Sequence, residues 1–396
     1  MSAGVVLPVP QYGTGLPHDR APPAGTPPAP EAPAEFGARR KVEPGHPTVS
    51  VLITAYDRSD FVLRALETAC AQTADAAEYE VVLVSNVPAH EGIAERVRAR
   101  FPDHLLRFVP VGPSSVGGEI AVGIEACRGD IVSFLNDDDE WTALKVATVL
   151  RAFATNPHLG FLRNGLSFVD ARGDPIDDHR HLMAWMEEAP EGGVLLHGSD
   201  PIGLGRSMRR LAVDFNDSAI SVRRSSLGRG LDYLRRLPTH ADTFLFFSAA
   251  ICGDDLLFLP DPLTRYRVHG NSLTQANGNN GGNGHATMGR LSENDRKVVA
   301  ALDVIREYAL AEGRQDLLGL IDHDEEYWRL ITLSRDDASP RGAVARQLLK
   351  FLPVWAASRT TSSALAVGWS VSRLASARLA RGLYLQVRAG RAETSP

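Results

Sequence analysis

The sequence predicts an α/β protein: a mostly parallel, doubly wound sheet followed by a helical C-terminal region. Three observations predict it. Strand-like apolar runs alternate with helix-like segments from Thr48 to Asp139, the pattern that builds parallel sheets. The run Ile131-Val132-Ser133-Phe134-Leu135-Asn136 ends abruptly in Asp137-Asp138-Asp139-Glu140, as a buried strand does when it delivers carboxylates to a sheet edge. Beyond Leu291 the pattern turns helical and the charge turns basic.

The elements follow in order. Residues 1–46 are rich in Pro, Ala and Gly and read as a disordered leader. Val49 to Thr54 is a buried strand. Asp60 to Gln72 is a helix with Phe61, Leu63, Leu66 and Ala69 apolar and Asp60 placed to cap. Tyr79 to Val84 is the next strand, Gly92 to Arg100 a helix, and Leu106 to Val109 a short strand. A helix from Gly118 to Cys127 leads into the acidic strand. Ligands of such sheets sit at the carboxyl ends of strands. Thr54-Ala55-Tyr56 and Asn136 to Asp139 both lie at such ends, so they are expected to line one crevice.

The second half is less regular. Gly160 to Asp170 reads as a strand, and Asp170 to Asp174 as a turn. Thr239 to Cys252 is a helix. Leu257 to Pro260 and Leu263 to His269 are two short strands. Asn277 to Gly284 contains only Asn and Gly, which makes a mobile loop. Helices span Leu291 to Glu312 and Leu317 to Leu333, and Val344 to Val387 is weakly amphipathic.

Composition narrows the function. At 396 residues and 44% hydrophobic content the chain can bury a full core. A net charge of -6 argues against general nucleic-acid binding. The charge is uneven: from Ser339 onward the chain is about +8, and the remainder about −14. Three scattered cysteines, Cys70, Cys127 and Cys252, have no metal-ligand spacing and fit a reduced, cytoplasmic protein. Neither a signal peptide nor an apolar run near the ~20 residues of a membrane span is visible.

The acidic cluster carries the chemistry. Crowded carboxylates repel unless a cation sits among them, and Asp oxygens suit Mg²⁺ or Mn²⁺. The rival reading of such a cluster is a solvated turn capping the next helix.

Four stretches, in order, resemble the GT-A-fold glycosyltransferases of family 2. Val49-Ser50-Val51-Leu52-Ile53-Thr54-Ala55-Tyr56-Asp57-Arg58 is similar to the family's opening strand and nucleotide-binding turn. Gly123 to Asp130, followed by Phe134 to Trp141, is similar to the stretch ending in the family's Asp-x-Asp motif. Ala241-Asp242-Thr243-Phe244-Leu245 sits where the family has Glu-Asp before aromatic and apolar residues. Leu259 to Leu273 resembles the end of its catalytic domain.

The resemblance implies transfer of a sugar, with inversion, from a nucleotide-diphosphate donor to a hydroxyl acceptor: a glycan, a lipid-linked molecule or a small molecule. It implies Asp138 and His269 as metal contacts for Mg²⁺ or Mn²⁺, which neutralise the diphosphate leaving group. Asp242 is implied as general base. Tyr56 and Thr54 are implied at the nucleobase, Asn86 at the base edge, and Asp137 at the ribose. The implied organisation is a catalytic domain over 47–275, with a nucleotide-sugar half (47–141) and an acceptor half (142–275). A lid loop spans 276–290, and a helical region with a basic tail spans 291–396.

Three departures matter. Asn136 replaces the first Asp of Asp-x-Asp. Val84-Ser85-Asn86 stands where many relatives carry Asp, which leaves uridine, thymidine and guanosine donors open. Ile120-Ala121 replaces an Arg-Asn pair, so diphosphate contacts fall to Arg58 or the lid. A non-catalytic nucleotide-sugar-binding protein of the same fold is the alternative. The tail has two readings as well: a helix on an anionic membrane surface, or one packed on the protein's own acidic body.

Overall fold

The computed structural model describes residues 48–374, apart from 57–58, 177–188, 212–214, 270–283, 337, 359–365, 369 and 372–373. The proposed leader, Arg58, most of the lid loop and the tail beyond residue 374 lie outside the described residues.

The first half reads β1 (Val49–Ala55), α1 (Ser59–Cys70), β2 (Tyr79–Ser85), α2 (Ala89–Arg100), β3 (Leu105–Pro110), α3 (Val116–Ala126), β4 (Ile131–Asn136) and β5 (Glu140–Trp141). Then come α4 (Lys145–Thr155), β6 (Leu159–Val169), β7 (Val194–His197), α5 (Pro201–Leu211) and β8 (Ile220–Arg223). The short α6 (Arg224–Gly228) and α7 (Leu231–Leu234) lead into α8 (Ala241–Cys252) and β9 (Asp255–Arg267). The C-terminal helices are α9 (Gly284–Ala311), α10 (Leu318–Arg335) and α11 (Arg341–Ser358).

Among the described residues the strands form one sheet, ordered β3-β2-β1-β4-β8-β6-β9-β5, with β7 on β9. β1 to β4 pair in parallel, as the alternating pattern predicts. β8 then enters antiparallel between β4 and β6. The central strands have no polar face because helices cover both sides. Leu52, Val82, Val84 and Phe134 pack toward α3 and α8, while Val51, Ile53, Val81 and Leu83 pack toward α1, α2 and α4.

Two strands predicted around Pro260-Asp261-Pro262 are one strand, β9. Proline removes a ladder donor, and the ladder with β6 accommodates it by register shifts around Arg163 and Gly165. A Cβ on Gly165 would stand 2.2 Å from the Pro260 carbonyl oxygen, so the bulge requires glycine there. The helix α1 begins at Ser59, which places Asp60 inside it rather than at its cap.

The predicted helical C-terminal region is present, and it is built into the main core. Val298, Leu302, Ile305 and Tyr308 of α9 and Ile321 of α10 share one buried cluster with Phe244 and Phe247 of α8. The helix α9 starts at Gly284, seven residues before the predicted boundary, so 284–290 is helix rather than loop. The segment after the Asn/Gly run, His285 to Arg290, contains no proline to stop a helix from starting early. Among the described residues no helix is long and apolar enough to cross a membrane.

Candidate functional site

The parallel register brings the predicted strand ends together. Thr54 of β1 lies beside Asn136 of β4. One residue past β1, the backbone N–H of Tyr56 donates to Asp137 Oδ2 at 3.2 Å. Asp137 is buried, whereas Tyr56 is 56% exposed. The first two predicted stretches thus form one edge.

The end of β9 closes on the same edge. His269 Nε2 lies 3.1 Å from Asp138 Oδ2, and both side chains are largely buried. Arg267 holds the turn between them. Its guanidinium donates from Nε to the Asp138 carbonyl at 2.8 Å and from Nη1 to the carbonyls of Asp170 and Ala171. Its Nη2 pairs with the buried Glu140 carboxylate. Its own backbone N–H donates to Asp139 Oδ1 at 2.9 Å. A buried arginine with this many acceptors fixes a turn because the guanidinium fork is planar and rigid.

Asp139 is structural rather than ligand-facing. Its other oxygen, Oδ2, accepts from Ser218 Oγ at 2.6 Å and Asn216 Nδ2 at 3.0 Å. Burial, followed by the neighbouring Asp138 charge, pushes its pKa up to about 7. Trp141 lies in the core below, its Nε1–H donating to the Ser218 carbonyl at 2.8 Å, as expected of a packing residue.

The Asn216–Ala219 turn links this edge to Asp242. The backbone N–H of Asn216 donates to Asp242 Oδ2 at 3.2 Å, and that of Thr243 to Oδ1 at 2.9 Å. Burial raises the Asp242 pKa to about 6, against these hydrogen bonds and the Arg163 charge, which lower it. Asp217 stands next to it. Its Oδ1 is buried without a hydrogen-bond partner, and burial plus the Asp242 and Asp139 charges hold its pKa well above the usual carboxylate range. Asn216 adopts φ 67° and His240, the residue before α8, φ 58°. Two non-glycine residues in left-handed backbone therefore flank the Asp242 carboxylate, a concentration of strain typical of functional sites. His240 also meets Trp328 of α10, ring centroids 5.9 Å apart, and is half-buried.

All seven sequence-predicted residues lie at this edge or border it. Asp137, Asp138, His269, Tyr56 and Thr54 are joined directly by register or hydrogen bonds, Asp242 is joined through Asn216 and Asp139, and Asn86 follows the end of β2, one strand away. The sequence reasoning missed Asn216, Asp217, Ser218 and the organising role of Arg267. The Phe215-Asn216-Asp217-Ser218 stretch has polar residues before a strand, an ordinary turn signal, and nothing local ties it to Asp139, 77 residues earlier.

No group of three or more His, Cys, Asp or Glu side chains among the described residues forms a closed metal cage. The Asp138 carboxylate and His269 imidazole do fit an open site. Mg²⁺ and Mn²⁺ sites of phosphate-bearing substrates commonly use one or two protein ligands and take the rest from phosphate and water.

Residues 50–198 match the family model described as Glycosyl transferase family 2. An uncharacterized glycosyltransferase of Nostoc sp. is 25% identical over 129 residues, covering 33% of this chain and 39% of that protein. EpsH of Bacillus subtilis, also named a glycosyltransferase, is 24% identical over 230 residues, covering 58% of this chain and 63% of EpsH. The chain thus spans less than two thirds of either relative's length. Among solved structures, S. aureus TarS 1-349 in complex with UDP-GlcNAc superposes with a TM-score of 0.47 at 14% identity, covering 87% of this chain and 92% of that one. Mannosyltransferase PcManGT from Pyrobaculum calidifontis, in complex with GDP-Man and Mn2+, gives 0.47 at 17% identity, with 88% of each chain covered.

Proposed function

We propose, from the premise that this chain belongs to glycosyltransferase family 2, that it moves a sugar from a nucleoside diphosphate donor to an acceptor hydroxyl with inversion. The observation that carries the reading is the convergence of three strand ends and one helix start. Asp137 is tied to Tyr56, Asp138 faces His269, and Asp242 is tied to the same turn through Asn216.

Each group has a role its surroundings suit. Tyr56, exposed beyond β1, offers a ring for the nucleobase, with Thr54 and Asn86 beside it. Asp137, held by the Tyr56 N–H, is assigned to the ribose. Asp138 and His269 would hold Mg²⁺ or Mn²⁺, which would supply positive charge to the departing diphosphate. Asp242 takes the proton of the acceptor hydroxyl. A carboxylate offers about four lone-pair positions, and backbone N–H groups use two of those on Asp242, so acceptor capacity remains. A pKa of about 6 leaves the group ionised at neutral pH yet more basic than an ordinary Asp.

The acceptor is a hydroxyl compound bound by the half following Trp141. The alternative, a non-catalytic nucleotide-sugar-binding member, draws on Asn136 and Asn86, where charge is missing. The retained Asp138–His269 pair and the raised Asp242 pKa favour catalysis. The test is incubation of the whole chain with a panel of nucleoside diphosphate sugars, Mn²⁺ and simple glycosides. Release of nucleoside diphosphate and a product of opposite anomeric configuration by NMR are expected. Binding of a donor with no turnover against any acceptor would favour the non-catalytic member.

A further inference from the structure

The helix α3 runs back over β1 and β2, and it brings a buried carboxyl to the nucleotide end of the sheet. Gly123 sits directly on Leu52: a Cβ there would stand 2.4 Å from Leu52 Cδ1. Glu119 lies one turn earlier, on the same side of the helix. Four helix residues rise about 6 Å, and two strand residues rise about 6.6 Å. Glu119 therefore overlies the level of Thr54, two residues beyond Leu52. Thr54 pairs with Val84. Asn86 follows two residues further on, one residue past the end of β2 at Ser85; continued alternation from Val82 and Val84 would put it on the α3 side.

Two unsatisfied acceptors thus lie toward the same end of the sheet, on its α3 side. Glu119 is 5% exposed, and its Oε1 is buried with no hydrogen-bond partner. Asn86 Oδ1 is buried and unpartnered too. Buried polar atoms are nearly always paired, and an orphaned acceptor costs free energy until a donor arrives. Burial raises the Glu119 pKa, which marks the same desolvation.

Among nucleobases the demand is selective. Uracil and thymine present one N–H between two carbonyl acceptors, which a carboxylate repels. Adenine and cytosine each present a single amino group there. Guanine presents an N1–H and an adjacent amino group, two parallel donors that match one carboxylate and leave a further N–H for a neighbouring oxygen.

We propose that Glu119 and Asn86 form the base-selecting wall of the site and that the donor is a guanosine diphosphate sugar. The proposal rests on the reading of the protein as a nucleotide-sugar enzyme and deepens it.

The experiment is calorimetric titration of the full chain with GDP, UDP, dTDP and ADP in Mn²⁺, repeated on Glu119→Gln and Asn86→Ala. GDP is expected to bind the native chain about 10- to 100-fold more tightly than the others, the worth of one bidentate base contact. Glu119→Gln is nearly isosteric; it is expected to abolish that preference by weakening GDP binding, while UDP binding holds or tightens as the repelling charge is removed. A native chain that prefers UDP or dTDP overturns the guanine assignment and leaves the glycosyltransferase reading standing. GDP preference that survives in Glu119→Gln removes Glu119 from the wall. Binding of none of the four overturns both readings. The ranking on the native chain decides the donor even if a variant fails to fold, and circular dichroism checks each variant.

Discussion

Asn216 connects to Asp242 through its backbone N–H, 3.2 Å from Oδ2, while its side-chain amide holds Asp139 at 3.0 Å. One residue, in left-handed backbone, therefore ties the carboxylate at the start of α8 to the acidic turn after β4. The Asp138–His269 corner and the Asp242 carboxylate are therefore two sides of a single hydrogen-bonded turn. Asn tolerates this backbone better than most residues, and its side chain reaches Asp139 and also accepts the Ser218 N–H at 2.7 Å.

Replacing Asn216 separates the two parts. Asn216→Ala removes the donor to Asp139 and places a Cβ residue without local hydrogen bonds at φ 67°. A loss of about 1–3 kcal/mol of stability is expected. The turnover number should fall more than the donor affinity, because Asp242 shifts while the β1 and β2 edge does not. Urea melts and separate kcat and KM values check it; equal losses in both constants would mean that Asn216 only supports the fold.

The pH profile follows from Asp242. Burial raises its folded pKa from 3.8 to about 6. A base works only when ionised, so kcat/KM should climb as pH rises through about 6 and level off above 7. Asp242→Asn should lower the rate by roughly 10²–10⁴ and erase that limb, with donor binding nearly unchanged. A limb that persists in the Asn variant belongs to another group.

Asp138 and His269 are expected to act together on the ion. Asp138→Ala should abolish Mn²⁺-dependent nucleotide binding with the fold intact, because the side chain lies at the crevice. EDTA should silence the native enzyme. Full activity in excess EDTA would falsify the metal role. His269→Gln should raise the Mn²⁺ concentration needed for half activity rather than abolish turnover, because an amide still offers one oxygen.

Arg267 is expected to matter to both fold and site. Arg267→Met leaves the Glu140 carboxylate without its buried partner and takes the guanidinium donor away from the Asp138, Asp170 and Ala171 carbonyls. Breaking a buried pair in this way costs about 3–5 kcal/mol. Arg64 and Arg265 also approach Glu140, at 3.3 Å and 3.5 Å, so the loss should fall at the low end. Thermal melts of Arg267→Met and Arg267→Lys measure it, and Lys should rescue little, having no planar fork.

The parts of the site that lie next to strands were legible in the sequence. Ile131 to Asn136 is a largely apolar run with carboxylates at its end, and the parallel register then forces Thr54 and Tyr56 beside them. Asp242 could be read only by resemblance, since an Asp in the first turn of a helix is ordinary by itself. Asn216, Asp217 and Ser218 were not legible, because their partners Asp139 and Asp242 are supplied by tertiary packing across 77 and 26 residues. Pro260 and Pro262 hid the continuity of β9, since a bulge shared with β6 leaves no local mark. The place of α9 was hidden for a similar reason: its buried face meets α8, whose phenylalanines lie far upstream in the chain.

That packing predicts what the C-terminal helices do. Tyr308 is fully buried; it stacks on Phe244 at 5.7 Å and on Tyr233 at 4.9 Å. Leu302 and Ile305 join the same cluster as Phe247. Phe244 lies two residues after Asp242, so α9 backs the helix that carries Asp242. Leu302→Ala should cost about 2–5 kcal/mol. A chain ended at Thr274 exposes the whole α8 face, and it should express as insoluble material. A stop after residue 374 tests the basic tail by itself: loss of salt-sensitive sedimentation with anionic vesicles, with an unchanged melting temperature, would assign those residues to a membrane surface. A drop in melting temperature with no vesicle binding by the intact chain would assign them to the body of the protein. If instead the chain ended at Thr274 is soluble and melts like the intact protein, α9 and α10 are an accessory, and Asp242 is positioned without them.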